Sequence, residues 1–226
     1  MTRSPSLFYI APFASLIAVL AFERAFLLPP LLAEGGAAAI VAAVVALVWR
    51  RTPDLQPGKL GVRYWFGSLM VGAAAFFVWI APDALIPGYR HHIWFENPLF
   101  GKFTAGLTES ARAQPAVLWL RAFRAIALAP VAEELFWRAW MMRWIARDDF
   151  LAVPLGTYSP RAFWLVGVLF GMEHGPQWDV GIVIGVLYNW WMVRTKSLGD
   201  LILVHAMTNA CLSAYVVTNG KWEYWP

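Results

Sequence analysis

The sequence is poor in charge. Only 14% of its 226 residues are Asp, Glu, Lys or Arg, whereas 60% are hydrophobic and 14 are tryptophan. A soluble globular domain has about 25% charged residues, so this chain lacks the polar surface to cover itself in water. The hydrophobic residues also form long blocks instead of amphipathic stripes, which is typical of a domain embedded in a membrane.

Cysteine is nearly absent, since the chain has only Cys211. A single cysteine excludes an intramolecular disulfide, a cysteine-rich metal site and a redox pair. The patterns Gly-x-Ser-x-Gly and His-Glu-x-x-His do not occur either. A serine-elbow hydrolase and a zinc protease of the His-Glu-x-x-His type are therefore not indicated.

Seven hydrophobic blocks predict an all-α, polytopic transmembrane helix bundle. They are Leu7–Leu32, Gly35–Trp49, Tyr64–Ile86, Val117–Trp144, Ala162–His174, Val180–Val193 and Leu201–Val217. A helix that crosses the hydrocarbon needs roughly 20 apolar residues, and several blocks are shorter. We therefore expect about seven or eight helices, several of them tilted or broken, in a single membrane-embedded domain over residues 1–226. The polar stretch Gly88–Pro115 is expected to be a loop or an interfacial segment.

Basic residues predict the orientation, because they favour the cytoplasmic side. With the N-terminus in the cytoplasm, ten fall on that side and five on the other. The ten are Arg3, Arg50, Arg51, Lys59, Arg63, Arg143, Arg147, Arg161, Arg194 and Lys196, and the five are Arg24, Arg90, Lys102, Arg112 and Lys221. We expect an integral membrane protein with a cytoplasmic N-terminus and a periplasmic C-terminus, surrounded by membrane lipids. No nucleic-acid partner is expected.

The fourth block carries charges in an apolar setting. They are Arg121, Arg124, Glu133, Glu134 and Arg138. An ionisable group at the bilayer centre costs about 2.5–3.5 kcal/mol, so these groups must face each other, a protein interior or a wet cavity. Glu134 and Arg138 are four residues apart and therefore share a face on which they can pair. Glu133 lies about 100° round the helix, and Pro130 one turn earlier favours a kink that exposes a carbonyl.

Two later blocks carry further polar groups. The fifth ends with Phe170 and His174, which share a helix face, while the adjacent Glu173 is expected to point away from His174. The last carries His205 and Asn209, four residues apart on one face. Each set alone is equally explained by helix packing. Counted from the basic residues, however, Glu133, His174, His205 and Asn209 all fall roughly 14–20 Å from the cytoplasmic side, so three helices can bring them together.

This set of residues supports hydrolysis by an activated water. A glutamate in a low-dielectric pocket acts as a general base, a histidine holds the water or protonates the leaving amine, and an asparagine amide donates to an oxyanion. Cys211 lies on a different face from Asn209 and is no nucleophile here. Two histidines and a glutamate are also a possible zinc set, Glu133, His174 and His205, although glutamate-activated water requires no cofactor.

At these residues the sequence resembles the CAAX protease and bacteriocin-processing family of intramembrane endopeptidases, also called CPBP or Abi. The family pattern is Glu-Glu-x-x-x-Arg, Phe-x-x-x-His and His-x-x-x-Asn on successive helices. Here the three motifs are Glu133-Glu134 to Arg138, Phe170 to His174, and His205 to Asn209, in that order. The motif-bearing core covers about residues 117–217.

The resemblance implies cleavage of a membrane-associated or lipid-modified protein near its C-terminus. It implies that Glu133 is the base, that His174 and His205 bind and polarise, and that Asn209 completes the oxyanion site. Glu134, Arg138 and Phe170 would be supporting residues. The sequence around Trp137, His174 and Asn189 resembles that of a bacterial subgroup linked to exosortase and PEP-CTERM sorting. This resemblance implies a location in the bacterial inner membrane.

Two other interpretations remain open. The main alternative is a catalytically silent membrane scaffold or immunity protein that uses the polar cluster for packing. A small transporter with a proton-coupled glutamate is a further alternative, but no inverted repeat, which many transporters have, is visible in the sequence.

Overall fold

A computed structural model of the chain describes residues 5–26 and 28–225. Within these residues the secondary structure is helical and contains no strand, which confirms the predicted all-α class. The helices are α1 Ser6–Ala25, α2 Pro30–Trp49, α3 Trp65–Leu85, α4 Glu109–Arg112, α5 Pro115–Ala146, α6 Pro160–Met172, α7 Trp178–Thr195 and α8 Leu198–Asn219. Short 3-10 turns cover Pro53–Leu55, Phe150–Ala152, Gly175–Gln177 and Trp222–Tyr224.

Five helices of the described chain are long and apolar enough to cross a membrane: α1, α2, α3, α5 and α8. Helix α6 is apolar but has only 13 residues. At 1.5 Å per residue it rises about 20 Å, which is less than the roughly 30 Å hydrocarbon core. The mixture of full and short helices agrees with the predicted helical membrane bundle.

The predicted end of the first helix is wrong. The block Leu7–Leu32 was expected to be continuous, but α1 ends at Ala25 and α2 begins at Pro30. Proline suits the first position of a helix because its missing N–H would have no partner there. Pro29-Pro30 therefore separates two helices. Arg3, one of the residues behind the orientation prediction, lies outside the described residues, and the orientation stays a prediction.

Helix α5 is interrupted by two π turns, Arg124–Leu128 and Leu135–Met141. The six-residue α segment between them, Ala129–Glu134, carries both glutamates of the Glu-Glu motif. π turns are rare and frequently occur at functional sites. The expected kink near Pro130 thus takes the form of a π turn on each side of the glutamates.

Helices α6 and α7 pack against each other through glycine. Gly167 and Gly171 on α6 face Gly185 and Gly181 on α7, so that a Cβ added to any of them would meet the other helix. Small residues four apart let membrane helices approach closely. The pair forms a hairpin whose turn, Glu173–Gln177, joins the end of α6 to the start of α7.

Gly185→Ala is expected to destabilise this hairpin. Its Cβ would lie 2.6 Å from the carbonyl oxygen of Gly167, and overpacking of this kind costs roughly 1–3 kcal/mol. Gly36→Ala on α2 is the matched control, because in the described chain no atom beyond its chain neighbours and its own helix backbone lies within 4 Å of that Cβ. Thermal unfolding of the purified proteins in detergent should show a lower transition temperature for Gly185→Ala than for the wild type. The transition temperature of Gly36→Ala should equal that of the wild type. Equal transitions would contradict the close packing.

Candidate active site

The three predicted motifs meet around Glu134, which is fully buried. Its carboxylate accepts two hydrogen bonds from Arg138 Nη1, each 3.1 Å long, and one from His205 Nδ1 at 2.8 Å. The expected pairing of Glu134 with Arg138 is therefore present. Because Nδ1 of His205 donates to Glu134, its Nε2 points to the other side, 3.9 Å from Oε2 of Glu133. Glu134 thus orients the His205 ring.

Arg138 ties this pair to α6 and α7. Its Nε donates to Oδ1 of Asn189 at 2.9 Å, and Nη2 donates to the Gly185 carbonyl at 3.2 Å. The guanidinium also lies over the Phe170 ring, 4.4 Å from its centroid, a geometry that favours a cation–π contact. Phe170 therefore contacts the polar centre through its ring face. Sequence reasoning missed Asn189 as a partner, since a lone asparagine on an apolar helix carries no motif.

Glu133 lines a cavity that Glu134, the next residue, does not line. Its side chain is 13% exposed, and its Oε2 finds no hydrogen-bond partner within residues 5–26 and 28–225. A buried carboxylate oxygen without a donor is costly, and such atoms in native proteins call for an explanation. A carboxylate oxygen of this kind is suited to a ligand that can donate a hydrogen bond, such as water.

His174 and Glu173 both approach Glu133, which corrects the expectation that these neighbours point apart. Ligand atoms of Glu133, Glu173 and His174 all lie within 4.8 Å of one another. The expectation failed because α6 ends at Met172, so Glu173 and His174 lie in a turn and not on a helix. Nδ1 of His174 donates to the Phe170 carbonyl at 2.7 Å, and the Trp137 indole donates to Glu173 Oε1 at 3.0 Å.

Asn209 lies beside the first π turn. Its Nδ2 donates to the Ala125 carbonyl at 2.7 Å. In an α-helix that carbonyl would accept from the N–H of Ala129, but in the π turn Ala129 donates to Arg124. The next candidate donor is Pro130, which has no N–H. The freed carbonyl is thus the one that Asn209 binds, and one N–H of the Asn209 amide is left for other partners.

All four residues predicted to be catalytic line one cavity of about 590 Å³, together with Glu173 and Phe170. Ligand-binding cavities typically measure about 300–1,000 Å³. One wall is apolar and comes from α1, with Phe13, Leu16, Ile17 and Leu20. The lining also carries the ionisable residues Glu133, Glu173, His174 and His205, so the cavity has both apolar and polar parts.

The loop between α3 and α5 contributes residues 100–102 and 104–106 to the same cavity. Local hydrogen bonds shape it: Glu96 Oε1 accepts from the Phe103 N–H at 2.8 Å, and Asn97 pairs with Gly101. The predicted loop Gly88–Pro115 therefore has an ordered part at the cavity wall. The hydrogen bond from the Phe103 N–H lowers the pKa of Glu96 from its usual 4.5.

This depressed pKa makes the loop sensitive to acid. A carboxyl whose pKa is lower in the folded state stabilises that state above its unfolded pKa, about 4.5, and loses this contribution as the pH falls through the folded value. The protection factor of the Phe103 amide, which corrects the exchange rate for its intrinsic pH dependence, should therefore fall on acidification below about pH 4.5 in the wild type. Glu96→Gln should show a lower protection factor at neutral pH and little further change with pH, and identical profiles of protection factor against pH would contradict the role of Glu96.

A second ion network holds α5 to the N-terminal helices. Arg121 and Arg124 bind Glu34 at 2.6 and 2.8 Å, and Arg124 binds Glu23 at 3.0 Å. The sequence placed both arginines among the charges that need partners, but it did not identify Glu23 and Glu34. Those partners lie on α1 and α2, about 90–100 positions earlier. This network positions the helix that carries Glu133.

The residues whose ligand atoms lie closest together are not the same three as in the zinc set suggested by the sequence, which stays a prediction. Glu133 and His174 remain, but Glu173 takes the place of His205 in the cluster of described residues whose ligand atoms lie close together. His205 instead uses Nδ1 to bind Glu134. Two carboxylates and an imidazole are the ligand types of catalytic zinc sites, so this cluster fits a zinc ion.

Fold and site define a helical membrane protein with a buried glutamate–histidine centre. Residues 115–211 match the model of a family described as Rce1-like, type II CAAX prenyl endopeptidase Rce1-like. The match spans fewer than half of the 226 residues, but it includes all three motifs. It supports the CAAX protease family and, in general terms, a protease with a protein or peptide substrate. Neither the curated proteins nor the solved structures that were compared gave a significant match.

Proposed function

We propose that this protein is an intramembrane endopeptidase that hydrolyses a peptide bond near the C-terminus of a membrane-associated or lipid-modified protein. The observation that carries the proposal is the unpartnered Oε2 of Glu133, which faces His205 and His174 across one cavity. In that arrangement a carboxylate that can act as a general base lies beside imidazole groups that can position a water. The link to exosortase and PEP-CTERM sorting, and with it the bacterial inner membrane, belongs to the same proposal.

Glu133 removes a proton from water while the water oxygen attacks the carbonyl carbon of the scissile bond. His205 helps to hold that water, because Glu134 fixes its ring with Nε2 toward Glu133. The role of Glu134 is comparable to that of a carboxylate that orients a catalytic histidine. His174, whose Nδ1 is occupied by the Phe170 carbonyl, presents Nε2 as its remaining ring nitrogen.

The tetrahedral intermediate carries its negative charge on the former carbonyl oxygen. The second N–H of Asn209 is suited to donate to it, since the first is held by Ala125 and an amide nitrogen has two. The C–N bond then breaks, and the proton taken up by Glu133 passes to the leaving nitrogen. One new carboxyl end and one new amino end result, and no external oxidant or nucleophile other than water is consumed.

If a zinc ion participates, Glu133, Glu173 and His174 are the residues that would hold it. A bound zinc would lower the pKa of a coordinated water and polarise the carbonyl. The chain's own contribution remains the orientation of the His205 ring by Glu134 and the placement of Asn209 beside the cavity.

The test uses the full chain in nanodiscs with a panel of peptides that end in a lipidated cysteine or in a PEP-CTERM-like tail. Mass spectrometry identifies cleavage and the scissile bond, with and without a chelator, for the wild type and Glu133→Gln. Cleavage by the wild type alone supports the proposal. Cleavage that persists in the presence of the chelator indicates glutamate-activated water, and cleavage that the chelator abolishes indicates metal chemistry.

Two outcomes would contradict the proposal. Equal cleavage by Glu133→Gln would remove Glu133 from the role of base and point to a contaminating protease. Absence of cleavage across the panel would favour the alternative of a silent scaffold or immunity protein, for which the polar cluster is packing only.

A further inference from the structure

Three residues that line the cavity each carry a hydrogen-bond donor that is buried without a partner in the described chain. They are Nε1 of Trp79 on α3, Nε2 of Gln177 in the turn after His174, and Oγ of Ser213 on α8. The three residues are 7%, 5% and 5% exposed. A donor buried without an acceptor loses its bonds to water and gains nothing in return. Three such groups around one cavity indicate that the cavity receives a ligand that supplies acceptors.

The unpartnered atoms of this cavity differ in kind. Trp79 and Gln177 offer N–H groups, whereas Glu133 Oε2 is an unpartnered acceptor and lies at the reactive centre. Ser213 also departs from the usual behaviour of a helical serine, which commonly bonds to the carbonyl four residues earlier. An alkyl chain would leave these donors unsatisfied, while a peptide main chain offers one carbonyl oxygen per residue.

The spacing along α8 matches an extended peptide. His205, Asn209 and Ser213 recur every four residues and all line the cavity, so successive members are about 6 Å apart along the helix. In an extended chain the carbonyls on one side recur every second residue, about 6.6–6.8 Å apart. A peptide whose scissile carbonyl lies at Asn209 therefore brings another carbonyl near Ser213.

We propose that Trp79, Gln177 and Ser213 bind main-chain carbonyl groups of an extended peptide on either side of the scissile bond. This inference rests on the proposed peptidase function and deepens it. The three residues hold the substrate by its backbone, so sequence preference has to come from the apolar wall of α1 and from the loop over residues 100–106.

The experiment measures both cleavage and binding in nanodiscs. Trp79→Phe, Gln177→Leu and Ser213→Ala each remove one donor; Gln177→Leu and Ser213→Ala nearly keep the shape of the side chain, whereas Trp79→Phe also removes part of the ring system. Kinetics use the panel peptide that the wild type cleaves, and its Kd is measured in the Glu133→Gln background, where no turnover interferes. The same peptide is then made with one amide replaced by an ester at each position in turn, because an ester carbonyl is a weaker acceptor.

Each variant is expected to raise KM and Kd by roughly 3- to 10-fold, the effect of one hydrogen bond. The thermal transition of the empty protein should stay constant or rise for Gln177→Leu and Ser213→Ala, because an unsatisfied buried donor has been removed, and for Trp79→Phe it should fall no further than for Trp140→Phe. For each variant, an ester at one particular position of the peptide should raise Kd no further than the variant alone does. That position identifies the carbonyl that the removed donor binds in the wild type. Trp140→Phe is the matched control, since its Nε1 is also buried and unpartnered in the described chain but Trp140 does not line the cavity.

Variants that bind and cleave like the wild type would overturn the inference while leaving the peptidase function in place. A lower transition temperature together with unchanged Kd would assign the three residues to packing and would also overturn it. A panel that the wild type neither cleaves nor binds would remove the peptidase function and this inference with it.

Discussion

Glu133→Gln is expected to lower kcat by at least roughly 100-fold, the lower end of what a general base contributes. The amide has nearly the shape of the carboxylate but takes no proton from water. The stability of the folded protein should stay close to that of the wild type. Oε2 of Glu133 has no hydrogen-bond partner to lose in the part of the chain that the structure describes, and its ion-pair contact, His205 Nε2, is 3.9 Å away.

The decisive measurement combines single-turnover cleavage with thermal unfolding of the same preparation. Glu109→Gln is the control for loss of one carboxylate, because Glu109 is exposed on α4 and outside the cavity lining. A Glu133→Gln protein that unfolds at a much lower temperature would show that the lost activity reports misfolding. A folded variant with full activity would assign the base to another residue.

Arg138→Met is expected to destabilise the protein by about 3–5 kcal/mol, the range found when one member of a buried ion pair is removed. Arg138 and Glu134 have no exposed side-chain surface. Without the guanidinium, the Glu134 charge keeps, among the described residues, only the hydrogen bond from His205. Asn189 Oδ1 and the Gly185 carbonyl also lose their donor.

A double-mutant cycle separates the cost of the orphaned charge from the cost of lost packing. Glu134→Gln combined with Arg138→Met should recover part of the lost stability, since the uncompensated carboxylate is gone. Arg194→Met at the exposed end of α7 is the control for loss of an arginine. If Arg138→Met unfolds like the control, the network contributes little to the fold. If the double variant is no more stable than Arg138→Met, the loss comes from packing and not from the Glu134 charge.

The sequence predicted the polar centre well because ionisable residues in apolar helices need partners. Glu134 and Arg138 had to share a face, and the cost of burying them required contact with other polar groups. His205 was expected at the same depth as Glu133, and the structure shows that its ring binds Glu134, a pairing that the sequence did not identify. The catalytic roles of Glu133, His174, His205 and Asn209 stay predictions that await the cleavage assay.

Other contacts could not be predicted from the sequence pattern and the spacing of residues. Glu173 was expected to point away from His174, because helical geometry was assumed to continue past Met172. Asn189, Glu23 and Glu34 bind residues that are 51, 101 and 87–90 positions away in the chain. No local periodicity encodes which of several distant polar groups will be the partner.

The sequence by itself determined that the chain forms an apolar helix bundle and that three motifs carry its polar centre. Hydrophobic block length and the cost of buried charge depend on composition and spacing alone, so both are visible without a structure. The tertiary structure decided what faces the cavity. The π turns of α5 depart from the 3.6-residue period, the turn at Glu173 ends a helix early, and the donors Trp79, Gln177 and Ser213 come together only because α3, α7 and α8 pack around one cavity.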